Sequence, residues 1–217
     1  PGPWLSSTRP HASEAIDISQ IAMQNSHMTP MIDASTTQYL DRPEGRIAYD
    51  VAGEGPLVVL VPGMGDLRRT YRFLAPALRE AGYRVATTDL RGHGDSDPTF
   101  TVYGDEVSAG DIGALIDALG EPAVVVGNSL AAGAATILAS ERPDAVRGLV
   151  LIGPFVRNPD VNAVLMALMR VAMAPAWAAT SWKLYLPSLY AGRRPDDFDR
   201  YRAEVVEIGR ASCRERV

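Results

Sequence analysis

The stretch that most constrains the fold is Ala123 to Gly133, AVVVGNSLAAG. A short run rich in β-branched residues gives way at Gly127-Asn128-Ser129 to the small, apolar stretch Leu130 to Ser140. This reads as a buried strand, a tight turn and a helix that begins beside Ser129. A serine on such a turn stands clear of its neighbours, and the unpaired N–H groups of the helix start point towards whatever its hydroxyl attacks. Gly127 lets the strand end pass beneath the helix, while Ala131 and Ala132 keep the first turn uncrowded. Taken alone, the pattern also fits close helix–sheet packing with Ser129 as an ordinary cap serine.

The order of elements on either side is regular. Thr36 to Leu40 and Arg46 to Val51 flank Pro43-Glu44-Gly45 and read as a hairpin. Leu57 to Val61 is a continuous apolar run suited to a central strand. From Leu67 to Ala81 a helical spacing puts Tyr71, Leu74, Ala75 and Leu78 on one face, interrupted by Pro76. Arg84 to Thr88 gives another strand, and Val107 to Leu119 an amphipathic helix closed by Gly120. After the Ser129 turn a helix runs through Glu141 to Pro143, and Arg147 to Ile152 forms the next strand. Strands alternating with helices at this spacing predict an α/β fold, a mostly parallel sheet with helices on both faces. Active groups in such sheets collect beyond the carboxyl ends of the strands.

Three strand ends meet that expectation. Leu57 to Val61 leads into Pro62-Gly63-Met64-Gly65-Asp66, Arg84 to Thr88 into Asp89-Leu90-Arg91-Gly92-His93-Gly94-Asp95-Ser96, and Ala123 to Val126 into the Ser129 turn. In this order the three motifs resemble the α/β-hydrolase superfamily, in its lipase-like, esterase-like and cofactor-free haloperoxidase-like members, over roughly residues 34 to 203. The resemblance implies an α/β-hydrolase fold in which Ser129 is the nucleophile and the backbone N–H groups of Met64 and Leu130 form the oxyanion hole. Ala131 stands where the elbow usually has a second glycine, and Pro62 where a histidine often precedes the loop glycine. Relatives that are dehalogenases or typical epoxide hydrolases carry aspartate in place of Ser129.

A serine needs a base to take its proton, and the base needs an acid to orient it. The chain has three histidines, His11, His27 and His93. In the family the loop holding His93 is mainly a structural turn, which leaves His93 a candidate base beside that reading. The resemblance implies a base after the last strand and an acid after the sixth or seventh, beyond the strands seen here. Asp160 is then a candidate acid, or a solvated loop aspartate. Residues 154–206 read as the start of a helical cap or as a packed helical satellite. As a cap, its Met166, Met169, Trp177, Trp182 and Tyr185 would line an apolar substrate site. The aspartates and arginines between Arg193 and Arg200 read as a solvated charged edge.

Residues 28–153 would be the amino-terminal part of the hydrolase core. Residues 1–27 show no sustained period, and Ser26-His27-Met28 resembles a cloning seam before a start methionine. Glu207 to Val217, EIGRASCRERV, resembles a translated sequencing adapter, or else the charged end of a helix. A chain of 217 residues can bury one full core. Net charge −5 argues against a nucleic-acid surface. The single Cys213 cannot form an internal disulfide, and no apolar signal or spanning run stands out, so the expected setting is cytoplasmic.

No metal cluster, nucleotide fingerprint or phosphate loop is present, so no cofactor or metal is expected. The partner is then a small-molecule substrate, with a homo-oligomer formed through an exposed sheet edge as a further expectation. Two classes follow. One is a serine hydrolase of a small apolar ester or related acyl compound, with carbon–carbon bond hydrolysis or haloperoxidase-like activity as subtypes. The other is a catalytically silent or binding domain that kept the fold. Without the expected histidine, the 217-residue chain would turn over weakly at best.

Overall fold

In the computed structural model, residues 37–154, 177–190 and 192–214 are described, together with positions 163, 164, 167 and 171. Six strands form one sheet: β1 (Gln38–Arg42), β2 (Gly45–Ala52), β3 (Leu57–Val61), β4 (Arg84–Thr88), β5 (Ala123–Asn128) and β6 (Val146–Ile152), in the order β1-β2-β4-β3-β5-β6. β1 and β2 form the expected hairpin, β2 pairs antiparallel with β4, and β4, β3, β5 and β6 run parallel. Every residue of β3 is buried, as its unbroken apolar run requires of a strand covered on both faces.

The alternation along β3 divides the core between the two faces. Leu57, Val59 and Val61 pack with residues of α2 (Asp105–Leu119) and α3 (Leu130–Glu141), among them Ile112, Leu115 and Leu138. Val58 and Leu60 face the other way, onto Tyr71 and the Leu78 of α1 (Leu74–Glu80). The single helix expected over residues 67–81 is replaced by a 3-10 turn, Arg68–Tyr71, followed by α1. Pro76 explains the break: it has no N–H to give an uninterrupted helix, but in the first turn of a new helix that N–H would have no partner anyway.

Two further helices, α4 (Ala178–Tyr185) and α5 (Phe198–Arg214), come after β6. α5 docks on Leu67, the 3-10 turn and Arg72 just after it. Arg72 grips Asp197 through Nε and Nη2 at 2.6 and 2.8 Å and lies 4.3 Å over the Tyr201 ring, while Arg69 reaches Glu204 at 3.0 Å. This corrects the reading of Asp197 as part of a solvated edge: Asp196 and Asp199 are exposed, but the Asp197 side chain is almost enclosed. Among the described residues no helix is long and apolar enough to cross a membrane.

The hydrogen bond from Arg72 holds the Asp197 carboxyl below its ordinary range. The folded-state value therefore lies under the unfolded one of about 3.9. Its contribution is full above that pH and is lost as pH falls through the folded value. In urea unfolding, the stability advantage of the wild type over Asp197→Asn is expected to be present at pH 7 and to shrink below about pH 4. An advantage that stays constant down to about pH 2.5 would contradict the assignment.

Candidate active site

Ser129 sits at the carboxyl end of β5, where the strand turns into α3. Its backbone has φ 55° and ψ −117°, and among the described residues it is the only non-glycine with positive φ. A residue with a Cβ held there stores about 1–3 kcal/mol of strain, which the surroundings must hold in place. They do so from both sides. The Ser129 N–H donates to the Ile152 carbonyl at 2.8 Å, and the Ser129 carbonyl accepts from Ala132 at 3.0 Å. Gly127 makes the crossing possible, since a Cβ there would lie 2.5 Å from the Ala131 carbonyl oxygen and 2.8 Å from Ala132 Cα. Although Ser129 occupies the cap position of α3, its side chain makes no capping hydrogen bond, so its hydroxyl is not spent on the role of an ordinary cap serine.

The loop after β3 lies against this turn. A Cβ on Gly63 would come within 3.1 Å of the Ser129 Cβ, a crowded contact that glycine avoids where the two backbones approach. Gly63 to Asp66 forms a β-turn, with the Asp66 N–H donating to the Gly63 carbonyl at 3.1 Å and Gly65 at φ 80°. Met64 is exposed at the tip of the turn, and Leu130 is half-buried on the first turn of α3. Their two loops are thus neighbours around Ser129.

Three groups outside the turn hold it. Gly65 N–H donates to His93 Nε2 at 3.0 Å, while His93 Nδ1 lies 2.7 Å from the Arg91 carbonyl oxygen. Both ring nitrogens are thus engaged, and neither partner is Ser129. Trp182 of α4 packs its ring on Gly65, where a Cβ would be 2.8 Å away. The Tyr201 hydroxyl of α5 donates to Asp66 Oδ1, which also accepts from the Leu67 N–H at 2.8 Å. Burial, reinforced by the Asp66 carboxylate, pushes the Tyr201 phenol above its usual range, so it remains a donor.

Beneath the turn, Arg68 is buried and fans out to three carboxylates. Its Nε bonds Asp50 at 2.7 Å, Nη1 bonds Asp89, and Nη2 bonds Asp95 at 2.7 Å and Thr37 at 2.9 Å; its backbone N–H adds a 2.7 Å bond to Asp89 Oδ1. Burial opposes the guanidinium charge, but the surrounding carboxylates outweigh it and hold the proton more firmly than usual.

Trp177 and Tyr185 are half-exposed, with the Tyr185 ring 5.5 Å from that of Trp182. Asp160, Met166 and Met169 lie outside the described residues, as do His11 and His27. Sequence reading assigned no role to Asp66, Arg68 or Tyr201. Asp66 stood within a quoted motif, but its partner is 135 residues away, a separation that leaves no local trace.

Comparison with known proteins agrees with this geometry. The profile of the alpha/beta hydrolase fold matches residues 56–198, well over half of the chain. The chain is 35% identical over 141 residues to a 2-hydroxy-6-oxo-6-phenylhexa-2,4-dienoate hydrolase of Comamonas testosteroni, covering 58% of this chain and 48% of that one. It is 30% identical over 132 residues to bifunctional epoxide hydrolase 2 of Mus musculus, covering 59% and 24%. An esterase from Exiguobacterium antarcticum superposes with a TM-score of 0.68 at 19% identity, covering 82% of this chain and 72% of the other, and shares the fold. The chain spans less than half the length of the curated relatives it matches.

Proposed function

The chain belongs to the alpha/beta hydrolase fold family, and from that premise we propose that Ser129 is the nucleophile of a serine hydrolase acting on a small apolar ester or related acyl compound. The observation that carries the reading is the backbone of Ser129: a strained, non-glycine positive φ between strand and helix, with the hydroxyl free of capping. Strain of this kind is kept where it positions a reacting group.

In the proposed reaction Ser129 Oγ attacks the acyl carbon, the backbone N–H groups of Met64 and Leu130 hold the oxyanion, and the alcohol leaves to give an acyl-enzyme that water then cleaves. An acyl intermediate suits serine because its carbonyl can be attacked by water. Opening an epoxide with serine would instead leave an ether with no such carbonyl, so the name of the mouse relative does not carry over to this reading. Trp182 and Tyr185 would supply an apolar wall beside the oxyanion turn.

Among the described residues His93 is the only histidine, and its ring serves Gly65 and Arg91. The base for Ser129 is therefore proposed to lie outside the described residues. With p-nitrophenyl esters of short fatty acids, turnover should fall at least about tenfold, to the buffer background, in Ser129→Ala. Equal turnover in wild type and variant would remove Ser129 from the reaction. The Comamonas relative favours a second reading, hydrolysis of a carbon–carbon bond beside a ketone, in which the same oxyanion N–H groups would act. A 2-hydroxy-6-oxo-dienoate tested on the same pair of proteins separates it from ester hydrolysis.

A further inference from the structure

We infer that His93 is a positioning residue that locks the oxyanion turn into one of its two peptide orientations; the catalytic meaning of this lock rests on the hydrolase reading above. Its partners fix the tautomer. A backbone N–H can only donate, so Nε2, 3.0 Å from the Gly65 nitrogen, carries no proton; a carbonyl can only accept, so Nδ1, 2.7 Å from the Arg91 oxygen, carries it. The imidazole is thus neutral, oriented by Arg91 and presenting one lone pair to Gly65. The His93 backbone is tied as well, its N–H to the Leu90 carbonyl at 3.0 Å and its carbonyl to the Ser96 N–H at 2.9 Å.

The turn from Gly63 to Asp66 is one that needs such an anchor. Gly65 at φ 80° is the third residue of a four-residue turn, the position that distinguishes type II from type I. The two types differ by a flip of the central peptide, here Met64–Gly65, and glycine accepts either form at little cost. In the observed form the Gly65 N–H points at His93. In the flipped form the Met64 carbonyl oxygen would turn towards that lone pair, acceptor against acceptor. The Met64 N–H, the proposed oxyanion donor, belongs to the preceding peptide and does not turn over with the flip, but the turn that carries it would be shared between two forms and no longer held in one. Trp182 packs on Gly65 as well, but through carbon atoms of its six-membered ring, which offer neither a donor nor an acceptor to choose between a peptide and its flip. His93 Nε2 makes that choice.

Two substitutions separate this role from simple structural support. Gln places an acceptor oxygen near the Nε2 position, whereas Asn keeps a donor for the Arg91 carbonyl and has no acceptor that reaches Gly65. The probe is a p-nitrophenyl alkylphosphonate, which Ser129 Oγ attacks at phosphorus, expelling p-nitrophenolate and losing its proton to solvent, with the phosphonyl oxygen in the oxyanion site. Expected are a maximal labelling rate about tenfold lower in His93→Asn with the half-saturating concentration unchanged, and recovery of most of the rate in His93→Gln. Labelling of His93→Asn at the wild-type rate overturns the lock.

If the wild type is not labelled at Ser129, the hydrolase reading fails, and the lock is decided by nitrogen NMR of the histidine-labelled wild-type chain. A protonated Nδ1, with a coupling across the hydrogen bond from the Gly65 amide to Nε2, upholds it. A protonated Nε2 overturns it. The same spectrum decides the matter if His93→Asn does not fold.

Discussion

Replacing Arg68 by alanine is expected to cost about 3–5 kcal/mol of folding stability, the range seen when one partner of a buried ion pair is removed. The reason lies less in the bonds lost than in what they leave behind. Asp89 has no exposed side-chain surface, and Arg68 is its guanidinium and backbone partner at once. Without the cation, Asp89 keeps the backbone N–H groups of residues 68 and 95, at 2.7 and 3.2 Å, but no countercharge, so its own charge must be neutralised or hydrated. The denaturant midpoint of Arg68→Ala should therefore fall steeply, and adding Asp89→Asn should recover part of the loss by removing the stranded charge. A fall of less than about 1 kcal/mol, or no recovery in the double variant, would contradict this account. Lysine is no substitute, because a single ammonium cannot address Asp50, Asp89 and Asp95 from the three nitrogens that Arg68 uses.

The second large effect is expected at Gly127. Valine there would press its Cβ against the Ala131 carbonyl and the Ala132 Cα, backbone atoms of the first turn of α3 that cannot swing aside as a side chain could. A destabilisation of about 3 kcal/mol is expected. Phosphonate labelling of Ser129 should be lost with it, because the helix start would have to move away from the strand and carry the Leu130 N–H along. Gly148→Ala on β6 is the control: its Cβ would meet only Val124 Cγ2 at 3.8 Å, an ordinary contact, and its stability should stay within about 1 kcal/mol of the wild type. If Gly127→Val melts like Gly148→Ala, the close crossing of β5 and α3 is wrong.

What could be read from the amino acids alone followed the range of the interactions. β3 begins and ends where the apolar run Leu57–Val61 does, because burial on both faces writes itself into consecutive residues, and β4 has the bounds read for the strand Arg84–Thr88. The Ser129 turn announced itself through small residues, because close backbone contact within ten residues leaves a composition. The helix over residues 67–81 was misread at its middle, since a helical spacing persists across a break when both pieces pack on the same face. Asp197 was misread because a charge run looks alike whether it is solvated or gripped by an arginine 125 residues earlier. The same holds for His93: two flanking glycines suggested a turn, but nothing nearby in the chain pointed to Gly65, 28 residues back.

The bond between Tyr201 and Asp66 bears on how such proteins can be recombined. Shuffling between relatives commonly treats the sheet and the helices that follow it as separately exchangeable blocks. Here the turn after β3 is finished by residues from much later in the chain: Trp182 lies on Gly65, and Tyr201 closes on Asp66. A crossover placed between β6 and α4 would inherit the turn from one parent and its finishing residues from another. The heritable block is therefore discontinuous, residues 63–66 together with residues 182 and 201, and a chimera that splits it is missing part of the turn's support even where every secondary-structure boundary has been respected.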